Sequence, residues 1–118
     1  MMNELIKQRP QAIKFTQVNP TLASNYATSY ANNVEVATTY FDVNMIFGEV
    51  MGVTGETLNV ERRVRVVMPL GQVKLLALTL TRQLQTYEEN FGKISLDPKV
   101  VPDELRTLAN EWEKTSGE

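Results

Sequence analysis

An α+β fold is what the sequence predicts: an antiparallel β-sheet, then a long helix, then a short C-terminal helix. Three observations predict it. Alternating apolar residues cluster before residue 69, helical periodicity begins there, and a second, shorter helical pattern follows Pro98. The 118 residues suffice for one domain with a single core. With 42% hydrophobic and 22% charged residues, the balance is that of an ordinary globular domain.

Residues 1–11 are polar and without period, and read as a flexible arm. The sheet is expected over residues 12–68. Its first candidate strand covers 12–18, where Ile13 and Phe15 alternate with Lys14 and Thr16, before Asn19 and Pro20 close it. Val34-Glu35-Val36 is a second. In the third, Phe41, Val43, Met45 and Phe47 share one face while Asp42 and Asn44 share the other. Residues 51–55 (MGVTG) read as a turn or long hairpin loop. From Leu58 to Met68 the apolar parity returns, interrupted at Arg62, where a β-bulge or a solvent-facing end is expected. Short intervals between these strands favour antiparallel pairing.

Pro69 suits the first helical position, where a missing N–H costs nothing, and Gly92 supplies the left-handed residue that commonly ends a helix. Between them, residues 69–92 form the long helix. Val73, Leu76, Ala77, Leu80, Leu84, Tyr87 and Phe91 fall on one stripe about 100° wide, the expected sheet-facing side. The short helix is expected over 103–114, with Leu105, Leu108, Ala109 and Trp112 on one face.

Leu75 and Leu78 lie nearly opposite the core stripe, beside Gly71, Arg82 and Glu89. Burying two leucines stabilises by roughly 3–6 kcal/mol. Association costs on the order of 4–15 kcal/mol, so the pair forms the centre of a contact and not the whole of it. Gly71, Leu75, Leu78 and Arg82 are the expected self-association surface; the competing reading is that the C-terminal helix folds back over them.

With no Cys and no His, the chain lacks thiol and imidazole chemistry, disulfides and zinc sites of the usual kind. No phosphate-cradling glycine motif is present. A non-enzymatic protein without cofactor or metal is therefore expected. The net charge of −2 gives no overall attraction to nucleic acid or anionic membrane. Arg62, Arg63 and Arg65 lie near Glu56 and Glu61, and read as charges blunting a strand edge. Glu88, Glu89, Asp103 and Glu104 read as structural or solvated, since helical neighbours diverge by about 100°. No apolar run approaches the ~20 residues of a membrane span, and no signal-like apolar segment opens the chain; a cytoplasmic location is expected. Tyr30, Tyr40, Phe41, Met45, Phe47 and Met51 are the kind of side chains that adaptable polypeptide binders use. They are the expected polypeptide-binding set if part of them lies on an uncovered sheet face.

The segment YAN at 30–32, the strand ending in Phe47 and Gly48, the join RVRVVMP at 63–69, KLL at 74–76 and YEENFGKI at 87–94 resemble an uncharacterised bacterial domain family over residues 26–94. More distantly, the order of elements is similar to that of SecB, the export chaperone. The shared features are a proline at the strand-to-helix join (Met68-Pro69) and the segment from Ile94 through Leu96 to Pro98 leading to a final helix. That resemblance implies a SecB-like fold. It also implies a homo-oligomer (a dimer or a dimer of dimers joined by helices) and apolar grooves that hold a client polypeptide. The alternative is a structural or adaptor subunit with one fixed protein partner.

Overall fold

The computed structural model describes residues 17–116. The expected arm at 1–11 and nearly all of the candidate strand at 12–18 lie outside these residues; Gln17 and Val18, which are described, belong to no strand. Residues 17–32 carry only a turn, in which Tyr26 N–H donates to the Ala23 carbonyl at 3.0 Å. Among the described residues the sheet begins at Asn33. It consists of β1 (Asn33–Thr38), β2 (Asp42–Thr54) and β3 (Thr57–Pro69), antiparallel in the order β1-β2-β3. A long helix α1 (Leu70–Phe91) follows, then a single 3₁₀ turn (Asp103–Leu105) running into α2 (Arg106–Ser116). The α+β arrangement is as expected.

Directly paired residues share a sheet face. Val34 pairs with Phe47, Val36 with Met45 and Thr38 with Val43, while Val43, Met45 and Phe47 pair on the other side with Met68, Val66 and Val64. These nine positions make one largely apolar face. The helix α1 contacts β2 and β3. Val43 and Met45, 4% and 8% exposed, are the buried apolar side chains among the described residues. The core is thus narrow, centred on two side chains of β2. Val34 and Val36, on the β1 side of the same face, stay exposed.

The opposite face carries Glu35, Asn44, Ile46, Arg62 and Arg65. There Arg62 reaches from β3 across β2 to Glu35 on β1, donating from Nε and Nη2 at 2.7 Å each. Its register is displaced: Phe47 pairs with Val64 but Gly48 with Arg62, which leaves Arg63 as the extra residue of a bulge. The interruption read at Arg62 is this bulge, one residue on. A second irregularity makes Met51 the extra residue of β2. Gly48 sits at the first bulge with a Cβ position only 2.4 Å from the Glu61 carbonyl oxygen, so no other residue fits there without moving backbone.

Two local expectations are corrected. Residues 51–55 are not a loop: β2 runs on through Thr54, because Val53 and Leu58 prolong the ladder, and Gly55 and Glu56 alone make the turn. Pro69 is not the first helical residue. It keeps strand geometry (ψ 152°), pairs with Asp42, and leaves Leu70 to open the helix. At the far end α1 stops at Gly92 (φ 104°), whose N–H donates to the Glu88 carbonyl at 3.0 Å.

Candidate protein-interaction surface

Against the sheet, α1 uses only its first turns. Val73 and Leu76 are half-buried, whereas Ala77, Leu80, Leu84, Tyr87 and Phe91, placed on the same stripe by periodicity, are exposed. Beyond Leu76 the helix draws away from the sheet. Its last turns meet the C-terminal segment instead. The Glu88 carboxylate accepts the Trp112 indole N–H at 2.9 Å and the Ile94 backbone N–H at 2.9 Å. Lys93 pairs with Glu113 alongside. Leu84, Leu96, Val101, Leu108 and Trp112 line an apolar concavity of about 580 Å³ between these elements.

This docking settles where the C-terminal helix goes. It lies along the Leu84–Glu88 end of α1 and does not fold back over Leu75 and Leu78, which are 56% and 59% exposed. Gly71 and Arg82, the other members of that set, are exposed as well. Apart from its chain neighbours and the backbone of its own helix, nothing lies within 4 Å of where a Gly71 side chain would begin.

The aromatic and methionine set is dispersed. Met45 is core, and Phe47 is half-buried on the same face, beside exposed Val34 and Val64. Met51 sits about three residues from the hairpin end of β2, some 30 Å from Phe41 at about 3.3 Å per strand residue. Tyr30 is exposed, with its carbonyl accepting from Arg63 Nη1 at 3.3 Å. Phe41, expected in the strand, belongs to the turn between β1 and β2. Thr39 explains why: its hydroxyl donates to Asp42 Oδ1 at 2.8 Å and accepts from the backbone N–H of Phe41 (3.1 Å) and Asp42 (3.0 Å). The backbone closes the same turn, Thr39 N–H to the Asp42 carbonyl at 2.8 Å. What this pinned turn presents is Tyr40 and Phe41, 86% and 79% exposed, edge to face with ring centroids 5.0 Å apart. Periodicity could not show it; the only sequence signal is the Thr39…Asp42 spacing of a side-chain-closed turn.

Two of the three arginines, Arg62 and Arg63, are absorbed by carboxylates. Besides the Arg62–Glu35 fork, Arg63 donates to Glu61 at 2.8 Å and pairs with Glu49. The hydrogen bond from Arg62 holds the Glu35 carboxyl below its ordinary range, and the bonds to Glu61 and Glu49 raise Arg63. Among the described residues no group of acidic, His or Cys side chains could hold a metal ion. No helix of these residues is long and apolar enough to cross a membrane.

The protein exposes 11070 Å². A compact chain of 13.4 kDa exposes about 6,500 Å². The radius of gyration, 19.2 Å, exceeds the roughly 13–14 Å of a compact domain of this length. The exposed segment 17–32 and the uncovered helix and sheet surfaces both contribute to the difference.

Fold and surface together define a class: a small α+β protein whose three-stranded antiparallel sheet is only partly covered by one long helix with apolar residues on opposite sides. The chain belongs to the family described as Protein of unknown function (DUF3467), whose profile matches residues 2–96. That span holds the whole sheet and α1 and leaves the 3₁₀ turn and α2 outside. No curated protein and no solved structure matches the chain.

Proposed function

We propose that the protein is a non-enzymatic polypeptide-binding protein that works as a homo-oligomer, with α1 faces meeting at the centre of the assembly. The observation that carries this reading is the exposure of Leu75 and Leu78 on a well-formed helix whose own C-terminal segment docks elsewhere. Water-exposed leucines of this kind, next to a glycine that permits close approach, mark a contact face. The client surface is the β1 side of the apolar sheet face. Val34 and Val36 are exposed there, and β1 pairs only with β2 among the described residues. An extended segment laid on this edge gains main-chain hydrogen bonds and apolar contacts together. The reading is in keeping with the resemblance to SecB in the order of its elements, and a holding chaperone of that kind is its sharper form.

The test combines light scattering with suppression of aggregation. The wild-type protein is expected to scatter as an oligomer and a Leu75→Glu, Leu78→Glu variant as a folded monomer. At molar excess, the wild type should also keep unrelated denatured proteins from aggregating. A wild type that stays monomeric at high concentration rejects the assembly. An oligomer that protects none of several clients rejects the holding role and leaves an adaptor for one fixed partner.

A further inference from the structure

The helix face is too small to hold two copies together by itself. Leu75 and Leu78 offer roughly 60–120 Å² each, from the usual free energy of leucine burial at about 25 cal/mol per Å². That totals well under the ~800 Å² per partner of a stable interface. More apolar surface must join it, and the sheet register says where it lies. Asp42 pairs with Pro69, so the turn bearing Tyr40 and Phe41 and the start of α1 at Leu70 emerge from the same end of the sheet. Two aromatic side chains add about 300–500 Å², which brings the whole to roughly 400–750 Å² and reaches the ~600 Å² per partner at the lower end of stable interfaces.

We infer that the Tyr40–Phe41 turn is the second half of the self-association surface and that its occupant is another copy of this chain. The inference rests on the assembly proposed above. Each turn packs beside Gly71 of the partner's α1, flanking the central contact of Leu75 and Leu78, and the partner's turn returns the contact, as an isologous two-fold requires. Gly71 is what admits a ring to the helix: beyond the helix's own backbone, the position where its side chain would begin is open. The turn is also held ready. The Thr39 and Asp42 hydrogen bonds fix its backbone before any partner arrives, so little ordering remains to be done on contact. Aromatic anchors of this kind carry a disproportionate share of interface energy.

The experiment is sedimentation velocity over a concentration series with the full chain, comparing wild type, Tyr40→Ser with Phe41→Ser, and Leu75→Glu with Leu78→Glu. Thr39 and Asp42 are untouched, so the turn keeps its hydrogen bonds, and circular dichroism verifies the fold. The turn variant is expected to weaken the dimer at least about 30-fold, the loss that corresponds to a hot spot of 2 kcal/mol. An unchanged dimer constant in the turn variant, with dissociation in the leucine variant, overturns this inference and leaves the assembly standing. An intact dimer that has lost client protection in the turn variant also overturns it, because the rings then belong to the client site. A monomeric wild type removes both proposals.

Discussion

Replacing Glu88 should release the C-terminal helix before it disturbs the sheet. The carboxylate accepts two hydrogen bonds, from Trp112 Nε1 and from the Ile94 backbone, each at 2.9 Å and in a part-buried setting. A hydrogen bond to a charged acceptor contributes about 1.5–3 kcal/mol; partial solvent access lowers this, so Glu88→Ala should cost about 2–3 kcal/mol in docking. Glu88→Gln keeps one acceptor oxygen but cannot serve both donors with it, and should cost about half as much. Trp112 is the sole tryptophan, so its fluorescence in a urea titration reports the docking of the C-terminal segment. The expected result is a Trp112 transition moved to lower urea, with the sheet and α1 melting unchanged by far-ultraviolet circular dichroism. An alanine variant whose fluorescence transition lies within about 0.5 kcal/mol of wild type would show that the clip holds nothing, the background scatter for a neutral surface change being of that size.

Gly48→Ala should destabilise the sheet by about 1–3 kcal/mol or more, as overpacking does, because the new Cβ would stand 2.4 Å from the Glu61 carbonyl oxygen; the urea midpoint measures it. The Arg62–Glu35 fork should leave a pH signature. The hydrogen bond from Arg62, then its charge, hold Glu35 below its ordinary value of 4.5 in the folded protein. Its contribution is therefore fully present above that value and fades as pH falls through the depressed one. The difference in urea midpoint between wild type and Glu35→Gln should hold steady from pH 7 to about 5 and shrink below about 4; a difference that persists unchanged at pH 3 refutes the pairing.

The sheet was legible where burial imposes a period of two. Val43, Met45, Val66 and Met68 alternate because one side of each meets α1, and the break at Arg62 betrayed the bulge. Phe41 was placed in the strand because it continues that alternation. The Thr39–Asp42 network, which has no period, takes it out. The helix was legible as a helix, but its stripe could not show how far the sheet accompanies it. Tyr87 and Phe91 have the right angular position and stay exposed, their rings 5.1 Å apart, because the helix has left the sheet by then. Leu75 and Leu78 stood out on the helical wheel alone. That the C-terminal helix would bypass them depended on the reach of Glu88 to Trp112, a tertiary contact no local pattern encodes.

The extra residue at Arg63 bears on how copies of this chain can and cannot line up. A straight strand laid along β3 would meet the regular spacing of N–H and C=O groups on only one side of the bulge at a time. The outer margin of the hairpin is therefore a poor template for endless ribbon growth, and a protein that leaves this much apolar surface uncovered carries its own brake on fibre formation.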